Sequence, residues 1–98
     1  MDVEFLDKEL DRLETDADFQ GSCGRAVIKA FRKRMQQIRA AEDERDLYAL
    51  KSLHFEKLKG KRAPQRSVRL NDQGRLILEI IPGQPKNRVR ICGIEDYH

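Results

Sequence analysis

Residues 66–81 read RSVRLNDQGRLILEII, in which two runs of alternating apolar and polar residues flank a short polar segment. Because side chains alternate between the two faces of a strand, every second residue of each run shares one face. The apolar positions are Val68 and Leu70 in the first run and Leu76, Leu78 and Ile80 in the second. Residues 71–74 are Asn-Asp-Gln-Gly, residue types that favour a tight turn. The stretch therefore predicts a β-hairpin with strands at residues 66–71 and 75–81 and one apolar face.

Strand patterns continue on both sides of this hairpin. Residues 53–58 form a candidate strand before it, and residues 88–94 form another after the turn at residues 82–83, which are Pro-Gly. Residues 3–5 also have the composition of a short strand. The second half of the chain is therefore predicted to be a small antiparallel sheet.

Two helices are predicted before these strands. The clearer one covers residues 24–42, where apolar residues recur at steps of three, four and three and so share one helical face. These residues are Ile28, Phe31, Met35 and Ile38. The earlier helix is capped by Asp7, ends near Asp16, and has the apolar stripe Leu6, Leu10 and Leu13. The chain length suits one domain over residues 1–98, and the element order predicts an α+β fold with two N-terminal helices packed on one sheet face.

Charge is distributed unevenly along the chain. Residues 1–20 contain eight acidic and two basic residues, a net −6, whereas residues 21–98 contain eighteen basic and nine acidic residues, a net +9. An acidic segment on a basic body favours a surface that binds a polyanion such as nucleic acid. The alternative is an ordinary solvated surface of mixed charge.

Other classes of protein are disfavoured. No run approaches the roughly 18 apolar residues that a membrane-spanning helix requires. Cys23 and Cys92 lie far apart and form neither a CxxC pair nor a metal-ligand spacing. We therefore expect a cytoplasmic protein with no metal and no cofactor.

Arginines follow the other face of the predicted strands. Arg69, Arg75 and Arg90 alternate with apolar residues and should project from the sheet face that the helices leave uncovered. Residues 51–75 around them hold eight basic and two acidic residues, a net +6. Guanidinium groups on rigid strands suit two-point binding of phosphate oxygens, although solvated strand arginines also occur without a ligand. The further candidates for RNA binding are Lys57, Lys61, Arg62, Arg66 and Arg90.

The sequence ends in groups that can transfer protons. Asp96, Tyr97 and His98 follow the last predicted strand, and a histidine titrates near neutral pH. Cleavage of RNA by its own 2′-hydroxyl needs a base, a cation for the crowded phosphorane and an acid for the 5′ oxygen. Lysine, arginine and a histidine or tyrosine supply these functions without a metal. His54 has no distinguishing neighbours and is interpreted as structural or as a residue beside the substrate.

Four motifs in a fixed order resemble the HigB-like branch of the RelE-family toxins. They are LKGKR at residues 58–62, QRSVRLN at 65–71, RL at 75–76 and DYH at 96–98. The resemblance extends over essentially the whole chain. It departs from the family pattern at Gly74, where an aromatic residue is usual, and at Pro64, where glycine is common.

This resemblance implies a RelE-like fold and a metal-independent, ribosome-dependent mRNA endoribonuclease. Such a protein is the toxin of a type II toxin–antitoxin system, inhibits translation and is neutralised by a HigA-like helix-turn-helix antitoxin. The residues that match the family's catalytic positions are Lys59, Arg69, Arg75, Asp96, Tyr97 and His98. Two alternatives stay open: a ParE-like toxin that inhibits gyrase without cleaving RNA, and an inactive member that only binds its antitoxin, which Gly74 would favour.

Overall fold

The computed structural model describes residues 1–21, 23–72 and 74–96, with only the backbone described at Asp96. The strands in this part of the chain are β1 (Val3–Phe5), β2 (Glu56–Lys57), β3 (Gln65–Arg69), β4 (Gly74–Ile81) and β5 (Arg88–Asp96). The helices are α1 (Lys8–Thr15), α2 (Arg25–Ala40) and α3 (Glu44–Ala49), and short 3₁₀ turns occur at Lys51–Leu53 and Gly60–Arg62. The predicted α+β class is confirmed.

The strands form one sheet in the order β1-β5-β4-β3-β2. Strands β2 to β5 pair antiparallel, and the predicted hairpin is confirmed, with Val68 opposite Leu76. Strand β1 instead pairs with β5 in parallel, with Val3 opposite Val89. All three helices and three strands separate β1 from β5 in sequence, so no tight turn requires these two strands to be antiparallel. The sheet is therefore mixed and not wholly antiparallel.

Helix α1 begins where Asp7 Oδ1 accepts a hydrogen bond from the backbone N of Glu9 at 2.9 Å, as predicted for its cap. Leu10 and Leu13 are buried, but Leu6 is 61% exposed. The prediction that Leu6 belongs to the apolar stripe was wrong, because Leu6 precedes the cap and its backbone is not part of the helix.

The core lies between the helices and one face of the sheet, which we call the inner face. All four predicted residues of the α2 stripe are buried in it. The sheet contributes Val68, Leu70, Leu76, Leu78, Val89 and Ile91. None of the helices in the described residues is long and apolar enough to cross a membrane.

The strand predicted at residues 53–58 is much shorter in the structure. Lys51–Leu53 is a 3₁₀ turn, and His54 after it has a left-handed backbone with φ 46° and ψ 50°. Only Glu56–Lys57 then pairs with β3. This left-handed conformation redirects the chain between the 3₁₀ turn and β2, and it places His54 at the end of the sheet.

A β-bulge sets which side chains share the other sheet face, which we call the outer face. Ile77 is opposite Gly93 while Leu78 is opposite Ile91, so Cys92 is an extra residue on β5. The extra residue shifts the alternation of side chains by one position. Arg90 and Glu95 consequently lie on the same outer face, although they are an odd number of positions, five, apart in sequence.

Candidate active site

A pocket of about 260 Å³ opens at one end of the outer face. Its lining residues are His54, Glu56, Ser67, Arg69, Asp72 and Arg75. We call it the sheet-end pocket. It combines two guanidinium groups, two carboxylates, an imidazole and a hydroxyl, which are groups that bind phosphate and transfer protons.

The two arginines of the pocket are positioned by strand register. Arg69 ends β3 and Arg75 is the second residue of β4, and the two are direct partners across the hairpin. Directly opposed residues in an antiparallel pair lie close together on the same face. The prediction that both project from the uncovered face is confirmed, and the structure brings them together at one cavity.

His54 lines the pocket, although the sequence analysis interpreted it only as structural or as a residue beside the substrate. Its left-handed backbone is unusual for a residue other than glycine, and such conformations cluster at functional sites. The backbone N of His54 donates a hydrogen bond to the carbonyl O of Lys51 at 3.1 Å, which fixes the turn. No sequence pattern indicated this conformation, because 3₁₀ turns have little periodicity of their own.

The cations of the outer face are held by carboxylates. Arg62 donates to both carboxylate oxygens of Glu95, with Nη1 at 3.0 Å and Nη2 at 2.5 Å, and Arg75 Nη2 lies 3.5 Å from the same carboxylate. The hydrogen bonds from Arg62 lower the pKa of Glu95 below its ordinary value. Arg69 pairs with Asp72 at the pocket edge. The strongest hydrogen-bond donors of the site are therefore cationic guanidinium groups. The neighbouring carboxylates bring the total charge of the site close to zero.

The other predicted RNA-binding residues are placed differently. Arg90 lies on the outer face, with Nε 3.6 Å from Glu4 and Nη1 3.8 Å from Glu79. Arg66 lies on the inner face, where its Nε is 3.4 Å from Glu44 of α3 and its side chain is 14% exposed. Arg66 is thus separated from the sheet-end pocket. The lysines at positions 57, 59 and 61 are exposed and do not line the pocket.

The predicted C-terminal group is only partly within the described residues. Asp96 is the last residue of β5, and its backbone is opposite Gly74, next to Arg75. The strand thus leads residue 96 to the end of the sheet where the pocket opens. Tyr97, His98 and the side chain of Asp96 lie outside the described residues.

Comparison with known proteins agrees with this architecture. A model of the family described as "RelE-like toxin of type II toxin-antitoxin system HigB" matches residues 3–91. A YoeB/ParE toxin from Agrobacterium tumefaciens is similar in structure, with a TM-score of 0.58 and 15% identity over 100% of both chains. A conserved hypothetical protein from Helicobacter pylori is also similar, with a TM-score of 0.56 and 12% identity over 99% of this chain and 94% of that chain. These two likenesses concern the fold alone, and no curated protein sequence matches the chain at a significant level.

Proposed function

The chain belongs to the HigB-like family of RelE-like toxins of type II toxin–antitoxin systems, and we propose that it cleaves mRNA on the ribosome and thereby inhibits translation. One arrangement carries the proposal: Arg69 and Arg75 are direct register partners at a pocket that also holds His54. Two guanidinium groups beside an imidazole can bind a phosphodiester and exchange a proton with it.

The reaction that suits these groups is attack of an RNA 2′-hydroxyl on the adjacent phosphorus. The bond from the 2′ oxygen to phosphorus forms, and the bond from phosphorus to the 5′ oxygen breaks. The products carry a 2′,3′-cyclic phosphate and a 5′-hydroxyl. One proton leaves the 2′-hydroxyl and one reaches the 5′ oxygen, so the step needs neither a metal nor a co-reactant. Arg69 and Arg75 stabilise the negative charge that develops on the phosphorane.

Proton transfer is divided between two sets of residues in this proposal. Glu56 and His54 line the pocket beside β2 and supply the base for the 2′-hydroxyl. His98 donates to the 5′ oxygen, and Asp96 orients it or Tyr97.

Exposed lysines extend the cationic surface for the RNA strand beyond the pocket. Lys57, Lys59 and Lys61 have no ion-pair partner among the described residues, so they can meet phosphates without first releasing a carboxylate. Arg62 and Arg90 contribute from the outer face itself. Arg66 is left out of the proposal, because it faces α3 on the inner face.

The ribosome supplies what the pocket lacks. The two arginines of the pocket are each paired with a carboxylate, so the intrinsic attraction of the pocket for free RNA is weak. A message already held in the decoding path has lost most of its freedom, and positioning of this kind contributes several kcal/mol, up to about 11, to a reaction. The partner that neutralises the toxin is its antitoxin, which we propose to be a HigA-like helix-turn-helix protein.

Three parallel incubations test this function. The purified protein is added to ribosomes translating a defined message, to the same message without ribosomes, and to gyrase with supercoiled DNA. We expect cleavage only in the first, with 2′,3′-cyclic phosphate at the new 3′ ends. Inhibition of gyrase without cleavage would establish the ParE-like alternative, and no effect in any incubation would establish an inactive member.

A further inference from the structure

Two arginines of helix α2 bind backbone carbonyl groups on opposite sides of the helix. Arg32 donates to the carbonyl oxygens of Leu13, Asp16, Ala17 and Phe19 at 2.9 to 3.3 Å. These bonds hold the end of α1 and the residues that follow it, and none of the four bonded residues lines the sheet-end pocket. Arg34, two residues later, points to the sheet side.

The guanidinium of Arg34 joins two segments that build the sheet-end pocket. Its Nε donates to the carbonyl O of Arg69 at 3.0 Å, and its Nη2 donates to the carbonyl O of Ser52 at 3.1 Å. Its Nη1 donates to Gln37 Oε1 at 2.9 Å, which fixes the plane of the group. Arg69 is a pocket residue, and Ser52 belongs to the 3₁₀ turn that ends in His54.

We propose that Arg34 is a positioning residue of the site, which sets the distance between the cation of Arg69 and the imidazole of His54. It touches neither side chain and acts through the two backbone segments that carry them. The inference rests on the proposed function insofar as it concerns cleavage, but the geometry it describes exists in the free protein.

Arginine is the residue type that this position requires. The guanidinium offers five N–H donors in a rigid planar fork, whereas lysine offers one nitrogen that cannot reach two separated carbonyls with the same geometry. Burial is the main cause that lowers the pKa of Arg34, and the nearby charge of Arg69 adds to it. Burial therefore costs the charged guanidinium of Arg34 part of its solvation, and its three hydrogen bonds compensate for that cost.

The cleavage test compares Arg34→Lys and Arg34→Gln with Arg32→Lys and Arg32→Gln. Single-turnover cleavage of a ribosome-bound message and binding to the same ribosomes are measured at a temperature where every variant is folded. A misplacement of about 1 Å costs on the order of 10²-fold in rate, so we expect both Arg34 variants to cleave at least about ten-fold more slowly with unchanged binding. The Arg32 variants should melt at lower temperature and cleave like the wild type.

The lysine variant distinguishes positioning from charge. If Arg34 only attracted RNA phosphates, lysine would retain cleavage and glutamine would weaken binding in a salt-dependent manner. Wild-type cleavage by Arg34→Lys, or by Arg34→Gln, would overturn the inference. If Arg34→Gln is folded at no temperature suitable for the assay, it is left out and the lysine variant alone decides the question.

A second readout does not depend on activity. The ring resonances of His54 in the NMR spectrum report its surroundings in the free protein. We expect them to shift in both Arg34 variants and to stay in place in both Arg32 variants. Unchanged His54 resonances in the Arg34 variants would overturn the inference. If the wild type cleaves nothing but these shifts occur, the proposed function fails while the positioning role stands.

Discussion

Arg62 and Glu95 form a two-point ion pair across the outer face, with nitrogen–oxygen distances of 3.0 and 2.5 Å, although 33 residues separate them in sequence. Glu95 also lies 3.5 Å from Arg75 of the sheet-end pocket. One carboxylate therefore partly neutralises two cations of the proposed RNA-binding face. RNA phosphates have to compete with Glu95 for both guanidinium groups.

Replacing Glu95 by glutamine should strengthen binding of single-stranded RNA. The substitution removes the carboxylate charge that competes with phosphates for Arg62 and Arg75, and each additional phosphate contact steepens the slope of log affinity against log salt by roughly 0.7. Asp43→Asn is the matched control, because it removes a carboxylate paired with Arg45 and changes the net charge equally, away from the outer face. Equal gains in affinity from both variants would mean that total charge, and not this pair, governs binding.

The same pair predicts how stability depends on pH. Arg62 holds the pKa of Glu95 below its ordinary value of 4.5 in the folded state. A carboxyl with a depressed folded pKa stabilises the fold above its unfolded pKa, and this contribution disappears as the pH falls through the folded pKa. Because the Glu95 side chain is 41% exposed, screening limits the contribution to less than about 1 kcal/mol.

Urea unfolding of the wild type and Glu95→Gln measures this effect. The wild type should have the larger free energy of unfolding at neutral pH, and the difference should vanish as the pH falls below 4.5. It should also shrink with added salt. A difference that grew on acidification would contradict the assignment of this ion pair.

Glycine and alanine at position 54 should separate backbone strain from chemistry. His54 has φ 46°, a left-handed conformation that glycine adopts freely and alanine does not. We expect His54→Gly to be more stable than His54→Ala by about 1 kcal/mol. Both lack the imidazole and should cleave about 10²-fold more slowly. Full cleavage by the glycine variant would remove His54 from the proposed chemistry.

Helix α2 and the hairpin of β3 and β4 could be predicted from sequence because their apolar periodicity is local. The alternation that buries Val68 and Leu76 also placed Arg69 and Arg75 on the outer face. The order and alternation of residues were therefore enough to predict which sheet face carries the two pocket arginines.

Features that depend on distant contacts could not be predicted. The parallel pairing of β1 with β5 and the bulge at Cys92 are fixed by packing between segments far apart in the chain. The bulge places Glu95 on the outer face, where it contacts Arg62 and Arg75. Arg66 was included among the RNA-binding candidates because of its charge, yet it shares the inner side of β3 with Val68 and pairs with Glu44 of α3.

His98→Ala tests the C-terminal group that sequence analysis assigned to catalysis. A positioned proton donor contributes at least about 10²-fold to the rate, so cleavage of a ribosome-bound message should fall by that factor. The melting temperature should hardly change, because no core contact is expected for His98. Undiminished cleavage by a folded His98→Ala protein would leave proton donation to the pocket residues.

The comparison of Arg75→Ala with Lys33→Ala tests the central claim most directly. Arg75 lines the sheet-end pocket, whereas Lys33 is an exposed residue of α2 outside it. Both substitutions remove one positive charge, and circular dichroism establishes that both proteins are folded. The measurement is the single-turnover rate of mRNA cleavage on programmed ribosomes. Loss of a cation that stabilises the phosphorane should slow Arg75→Ala by about 10²–10³-fold, while Lys33→Ala cleaves at nearly the wild-type rate. Equal rates for the two folded variants would contradict a catalytic site at this pocket.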